Sequence, residues 1–402
     1  MPSKPHKPTG AAFALRLALF YSALCAALGF QMPFLPVWLA AKGLDAVAVG
    51  IALAIPLIVR LLAIPAATWI ADRYDAARAV IMIGAAGSLA GYVAVGLAGT
   101  PEAIMAAIAL ASAFYVPLMP LADAYALRGL TARGRGYGPV RLWGSAAFIA
   151  GTLVGGLLLD LIAPRELIWV VVTALLLNAV AAGVLAPLDD HRSGAGAQRA
   201  SASMLLRNSR FLIVAAAAAL IQASHAVFYG FSALQWRAAG LDGVTIGTLW
   251  AIGVLAEIVL FAVSPRLALE PVVLLFIGAA GAVVRWAAMA LDPPPGLLLL
   301  LQCLHALSFG ATHLGAVGFV ARAAPAGLGA SAQGYLAVVG ALVMAGVMGI
   351  SGELYARWGS GAYWAMAVLA ALGALVLVTG AGRERSAVDK KRAAPFLSLI
   401  HI

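Results

Sequence analysis

The sequence predicts an all-α integral membrane protein, with 12 transmembrane helices in two pseudo-symmetric six-helix halves. Three observations lead there. Twelve apolar stretches each reach the roughly 20 residues a helix needs to cross a hydrocarbon core of about 30 Å. Of the 402 residues, 63% are hydrophobic and only 10% charged, and the mean hydropathy is +0.99. No water-soluble interior of this length hides so much apolar side chain. Finally, the halves repeat. Gly43-Leu44-Asp45, with Val47 and Gly50, follows the first stretch, and Gly240-Leu241-Asp242, with Val244 and Gly247, follows the seventh at an offset of 197. Gly156-Leu157-Leu158 more loosely echoes Gly352-Glu353-Leu354 at an offset of 196.

The spans read as 12–41, 46–71, 79–99, 102–127, 141–161 and 166–187 in the first half. In the second they read as 210–237, 244–264, 271–291, 296–320, 327–353 and 359–381. The longest polar segment, 188–209, is rich in Ser, Gly, Ala and Arg and reads as a flexible linker. It separates an N-terminal half, 1–187, from a C-terminal half, 210–382, with a tail at 383–402. The apolar run after the basic start MPSKPHKPTG is too long for a cleaved leader, so it reads as a retained first helix. The closing Leu397-Ser398-Leu399-Ile400-His401-Ile402 fits nothing around it. It matches the in-frame translation of a common sequencing adapter and reads as an artefact.

The formal charge of +10 is a matter of topology, not of nucleic acid. Lys4, Lys7, Arg73, Arg78, Arg128, Arg133, Arg135, Arg141, Arg192, Arg199, Arg207 and Arg210 fall on alternate connections, as does the tail cluster from Arg383 to Arg392. The opposite connections carry only Lys42, Arg165, Arg237 and Arg357. This bias places both termini in the cytoplasm of a bacterial inner membrane. Cys25 and Cys303 lie within spans and read as small core residues rather than a disulfide. Nothing resembles a soluble catalytic or sensory module, a phosphate-binding loop or a reactive nucleophile–base set, so the chain reads as no enzyme. No cofactor and no metal is expected; three intramembrane histidines without thiolates or a carboxylate pair make a poor ligand set.

The connection Asp72-Arg73-Tyr74-Asp75-Ala76-Ala77-Arg78 resembles the D-R-x-G-R-R gating loop of the major facilitator superfamily. Asp75 stands where glycine is usual, and Arg78 alone keeps the final arginine pair. Further stretches resemble the phenylpropionate permease branch. They are Pro33-Phe34-Leu35-Pro36, Pro120-Leu121-Ala122-Asp123, Tyr137-Gly138 with Arg141-Leu142-Trp143-Gly144-Ser145, and Gln222-Ala223-Ser224-His225. Leu249-Trp250 through Glu257 and Leu304-His305 through Gly310 complete the set. The resemblance implies the major facilitator fold, proton-linked uptake of a small aromatic carboxylate and a working monomer. It also implies that the second helix of each half, and the seventh and tenth, border a central cavity.

An ionisable group inside the membrane costs about 2.5–3.5 kcal/mol or more, so each is a functional candidate. Arg60 in span 2 and Glu257 in span 8 are 197 apart and therefore occupy equivalent positions in the two halves. Arginine offers a planar fork to a carboxylate. An anionic substrate that takes Arg60 away from Glu257 would leave a bare carboxylate in a dry site, which then takes up a proton. The competing reading is a static pair that fixes the packing of the halves. His225 on span 7 and His305 on span 10 are candidates for substrate contact or proton relay. Gln222, His225, Tyr229 and Trp236 form one helical stripe, and Gln302, His305, Phe309 and His313 another. Polar groups set among aromatics suit a flat ring with a polar end. Histidines hydrogen-bonded between helices are the structural alternative.

Asp72, Arg73, Arg78, Asp123 and Arg141 are the expected gating residues, with Asp123 as a gate or a structural tie to Arg141. Arg285, on the ninth span, is expected to snorkel to the outer interface. Gln31 and Tyr21 are minor cavity candidates. Pro33, Pro36, Pro56 and Pro65 are expected to break helical bonds and lend flexibility. Gly151, Gly155 and Gly156 are expected at close helix contacts. The leading expectation is a proton-coupled symporter of an organic acid. The alternatives are nucleoside or sugar uptake, or drug efflux, on the same fold, and a membrane enzyme or sensor.

Overall fold

The structure, a computed structural model, describes residues 9–188, 203–267, 269–324 and 328–397. The basic start, linker positions 189–202 with Arg192 and Arg199, and positions 398–402 of the adapter-like ending lie outside the described residues. The spanning helices of the first half are α1 (Gly10–Ala41), α2 (Ala46–Arg73), α3 (Ala77–Leu97), α4 (Pro101–Thr131), α5 (Tyr137–Leu161) and α6 (Pro164–Gly183). Those of the second are α7 (Ser209–Ala238), α8 (Gly243–Leu267), α9 (Pro271–Met289) and α10 (Pro295–Ala323), then α11 (Gly329–Trp358) and α12 (Ala362–Leu397). Among the described residues 11 helical runs are long and apolar enough to cross a bilayer. The last, Ser331–Gly380, is 50 residues long and holds two spans. Gly359, with φ of +53°, interrupts it with a short 3-10 turn. The fold is all-α and polytopic, as the sequence predicts.

The Gly-Leu-Asp repeat has a local cause. Gly43 and Gly240 take φ of +93° and +87°, the left-handed conformation that closes a helix and suits glycine. The next residue turns its N–H back, Leu44 to the Leu39 carbonyl at 3.2 Å and Leu241 to the Trp236 carbonyl at 3.0 Å. Each aspartate then caps the following helix: Asp45 accepts from the Ala48 N–H at 2.8 Å and Asp242 from the Thr245 N–H at 2.6 Å. Those Thr245 bonds hold the exposed Asp242 carboxyl below its ordinary value.

The four prolines lie inside continuous helices. α1 runs through Pro33 and Pro36, and α2 through Pro56 and Pro65. The interruptions fall elsewhere. α4 breaks at Val116–Pro117, where Pro117 has no N–H to give. α7 breaks at Ser224–His225 with no proline at all. There the Ser224 hydroxyl donates to the Ile221 carbonyl at 2.6 Å, a side chain competing with the helix for its own acceptor. α10 widens into a π-turn over Ala306–Ala311.

The chain packs as two compact units. The first comprises Met1–Gly194, Val227–Ile252 and Met348–Gly359; the second comprises Ala195–Ala226, Gly253–Val347 and Ser360–Ile402. In the first unit α1 packs along α5 and α6, α3 against α4 and α6, and α2 against α4. Glycine sets the closest approaches. A Cβ on Gly29 would overlap the Phe148 carbonyl, and one on Gly151 the Ala26 carbonyl. The Thr152 hydroxyl donates across this seam to the Gly29 carbonyl at 2.8 Å.

The arginine-poor end of this unit brings the repeated glycines together. Gly50 of α2 faces Gly352 of α11, where a Cβ on Gly50 would stand 2.9 Å from the Gly352 nitrogen. Gly156 of α5 faces Gly243 and Gly247 of α8, where a Cβ on Gly247 would stand 2.7 Å from the Thr152 carbonyl oxygen. The second crossing has a clasp. Both Asp160 carboxylate oxygens accept the Gly243 N–H at 2.8 Å, and Oδ2 also takes Val244 at 3.3 Å. With Asp242 on Thr245, the first three free N–H groups of α8 are satisfied. In the second unit α9 packs against α10 and α12, and α7 against α12 and α10.

Candidate functional site

The second unit gathers the polar side chains of α7, α8, α9 and α10 around one arginine. α9 carries Gly278, Gly281, Ala282 and Arg285 on one face, and the small residues let α10 close in. A Cβ on Gly281 would stand 2.7 Å from the Leu307 Cβ. Arg285 is thereby enclosed, with 0% exposure. This corrects the expectation that it reaches the outer interface: it points to the α10 side of its helix, not to lipid. Its Nη2 donates to Gln302 Oε1 at 2.6 Å. Its Nη1 donates to His305 Nδ1 at 3.0 Å and to Ser308 Oγ at 3.2 Å.

Glu257 joins from α8. Its Oε2 lies 3.5 Å from His305 Nε2, and its side chain keeps 18% exposure. Two glycines make room. Gly253, one turn earlier on α8, faces His305, and Gly310 faces Glu257, where added Cβ atoms would meet the His305 Cβ at 3.3 Å and the Glu257 Cγ at 3.5 Å. The π-turn of α10 carries Ser308 and Phe309 inward; such turns recur at functional positions. His305 and Phe309 stack at 5.2 Å with 12° between planes, and Phe309 and His313 at 6.2 Å with 4°.

Donor chemistry fixes the direction of these bonds. Arginine only donates, so His305 Nδ1 accepts and carries no hydrogen. The ring hydrogen sits on Nε2, facing Glu257. His225 is the reverse. Its Nδ1 is 3.0 Å from the Gln222 carbonyl, which only accepts, so Nδ1 carries the hydrogen and Nε2 accepts from Ser308 Oγ at 3.1 Å. As neutral rings the two histidines are opposite tautomers. Gln222 reaches α10 as well, donating from Nε2 to the Phe309 carbonyl at 3.3 Å.

The stripe expected along α7 is divided by its break. Gln222 and His225 belong to the second unit, Tyr229 and Trp236 to the first. There Phe228 stacks on Trp250 at 4.7 Å, Tyr229 lies 5.9 Å from Trp250 and Trp236 lies 6.0 Å from Phe228. Arg60 is part-buried on α2 in the first unit, and Glu257 belongs to the second. Asp123 accepts from the Tyr21 and Tyr137 hydroxyls at 2.6 and 2.7 Å. Arg141 lies 5.5 Å over the Tyr21 ring, so Tyr21 joins Asp123 to Arg141. Gln31 donates to the Tyr92 hydroxyl.

In the loop after α2, Asp72 is exposed and Arg73 lies over Tyr74. Arg78 donates to the Leu185 carbonyl at 2.6 Å and the Gly183 carbonyl at 3.2 Å, tying the loop to the end of α6. Asp75 has φ of +45°, which explains why glycine is usual there. It keeps that conformation while bonded to Arg128 at 2.8 Å. Arg285 and Ser308 are absent from the sequence-derived candidates. The signal for Arg285 was available in the Gly278–Gly281–Arg285 spacing; none existed for the π-turn.

A family model described as the MFS_1 like family matches residues 14–372. The chain is 34% identical over 372 residues to the Probable 3-phenylpropionic acid transporter of Escherichia coli (strain K12), across 88% of this chain and 94% of that protein. It is 30% identical over 381 residues to the Maltose permease of Geobacillus stearothermophilus, across 93% and 96%. Two solved structures share the fold. The nucleoside transporter NupG aligns with TM-score 0.79 at 17% identity, over 92% of this chain and 98% of that one. The D-xylose-proton symporter aligns with 0.69 at 15%, over 91% and 97%. This is a multi-pass membrane transporter and not an enzyme. By the family match and its near-full-length relatives, the chain belongs to the MFS_1 like family of the major facilitator superfamily.

Proposed function

We propose that this protein is a proton-coupled symporter that carries a small aromatic carboxylate into the cell. The observation that carries the reading is the Glu257–His305–Arg285 chain, a carboxylate joined to a buried cation through a neutral imidazole. Ionisable groups are costly in a membrane, which makes this chain of them a functional candidate. Glu257 is assigned the proton, because His305 is held as a donor toward it by Arg285. Arg60, the repeat mate of Glu257, is assigned the substrate carboxylate, which it meets with two parallel N–H donors. Gln222, Gln302, His225, Tyr229, Trp236, His305 and Phe309 are assigned to the rest of the substrate. The aromatic acid is supported by the 34% identical relative, whose name carries 3-phenylpropionic acid. The arginine-rich end is assigned to the cytoplasm, with both termini there, and the working unit is a monomer in a bacterial inner membrane.

Uptake of labelled 3-phenylpropionate into proteoliposomes, with and without an inward proton gradient, tests this reading. Wild type accumulates substrate when the gradient is present. Glu257→Gln loses that accumulation but retains counterflow exchange, because a neutral side chain still binds substrate and cannot carry the proton. No uptake by folded wild type refutes the aromatic acid. Maltose uptake would then favour the sugar reading, which the 30% identical permease supports.

A further inference from the structure

We propose that Ser308 is a positioning residue, its hydroxyl tying Arg285 to His225 and so linking the charged cluster to the break in α7. Ser308 is fully buried at the π-turn, with 0% exposure. Its Oγ receives an Arg285 N–H at 3.2 Å, which leaves its own hydrogen for His225 Nε2 at 3.1 Å. His225 is the residue at which α7 breaks. Its backbone N–H and its ring Nδ1 both reach the Gln222 carbonyl, at 3.1 and 3.0 Å. The imidazole thus caps its own interrupted helix, and only the Nδ1–H tautomer does so. Ser308 enforces that tautomer from the other side of the ring.

One consequence concerns Arg285. Its two Nη1 bonds set His305 and His225 in opposite tautomers, one directly and one through Ser308. A change at Glu257 reaches Arg285 through His305, and Ser308 carries it on by hydrogen bonds to the helix break. The charged and titratable groups facing this junction are Glu257 from α8, Arg285 from α9, His305 and His313 from α10, His225 from α7 and Tyr363 from α12. Trp286 packs edge-on against His225 at 4.9 Å and donates to Ser224 Oγ at 2.8 Å. The break is therefore braced from α9 on its other side.

The transport arm of the test rests on the symport reading, and the spectroscopic arm does not. Nitrogen-15 imidazole NMR of the full chain in nanodiscs, assigned with His225→Gln and His305→Gln, gives the tautomers directly. Wild type shows His225 with hydrogen on Nδ1 and His305 with hydrogen on Nε2, both neutral. In Ser308→Ala the His225 signal becomes a mixture of tautomers while His305 keeps its form. Ser308→Thr, which returns the hydroxyl, restores the wild-type pattern. A wild-type His225 with hydrogen on Nε2 overturns the proposal without any variant. So does an unchanged His225 signal in Ser308→Ala, or a folded Ser308→Thr that behaves like alanine. In proteoliposomes Ser308→Ala lowers gradient-driven accumulation about tenfold relative to counterflow, the scale of one hydrogen bond to a charged group. An equal fall in both overturns the linking role. Should no aromatic acid be transported, the spectra still decide the assignment of Ser308.

Discussion

Gly352→Ala tests the backbone crossing of α2 and α11 most directly. The added Cβ would overlap the Ala46 carbonyl and stand 2.8 Å from the Val47 Cα, where ordinary contact begins at 3.4 Å. Both obstacles are main chain in the middle of the crossing, so no rotamer relieves them. The helices must separate by at least about 0.6 Å, the gap between those two distances. Overpacking of this kind costs about 1–3 kcal/mol. The cost falls on the state in which the crossing is closed, so the ratio of closed to open shifts by about 5- to 150-fold. Ala54 lies one turn deeper on the same face of α2, with 5% exposure, and serves as the reporter. Ala54→Cys, with Cys303→Ser removing the exposed native thiol, is labelled with an impermeant maleimide in right-side-out vesicles. Under the proposed topology the arginine-poor end faces the reagent. Adding Gly352→Ala raises the labelling rate at least about fivefold, the lower bound of that shift. An unchanged rate in a folded protein refutes the reasoning that the added Cβ burdens only the closed crossing.

Other outcomes follow from the same structure. Asp160→Ala removes the clasp on α8 and costs about 0.5–2 kcal/mol, the range for losing a helix cap; amide exchange at Gly243 and Val244 accelerates while Thr245, capped by Asp242, stays protected. Arg285→Lys keeps the charge but loses the fork, leaving Gln302, His305 or Ser308 short of a donor at about 1–3 kcal/mol each; the thermal unfolding midpoint falls and the His305 tautomer is no longer fixed. The Asp242 cap follows the sign of its depressed carboxyl. Its contribution is complete above the ordinary value of about 4 and is lost only as pH falls through the lower folded value. Thr245 protection in wild type should therefore persist to lower pH than an unperturbed carboxylate allows, and Asp242→Asn should abolish that dependence.

Much of this arrangement was legible in the chain. Length and hydropathy specify twelve spans because the bilayer admits few alternatives. The Gly-Leu-Asp repeat reads as stop, turn and cap once its positive φ values are known, and its partner glycines mark the crossings where the halves' repeated segments meet. The misreadings have physical causes. The break in α7 was not foreseen: it falls where Ser224 and His225 bond their own backbone. That competition depends on rotamer and has no periodic signature. Arg285 was placed at the interface because its helix was taken as peripheral. Its small-residue face argued for the opposite, since Gly278 and Gly281, one turn apart, mark the side where another helix approaches. The π-turn, which carries Ser308 and Phe309, left no mark in the sequence.

The glycine crossings bear on how this protein tolerates redesign. Where backbone meets backbone there is no side chain to repack, so a substitution on one helix finds no compensating change on the other. Variation should spare Gly50, Gly156, Gly247 and Gly352. Those backbone contacts are therefore the part of the chain least open to redesign.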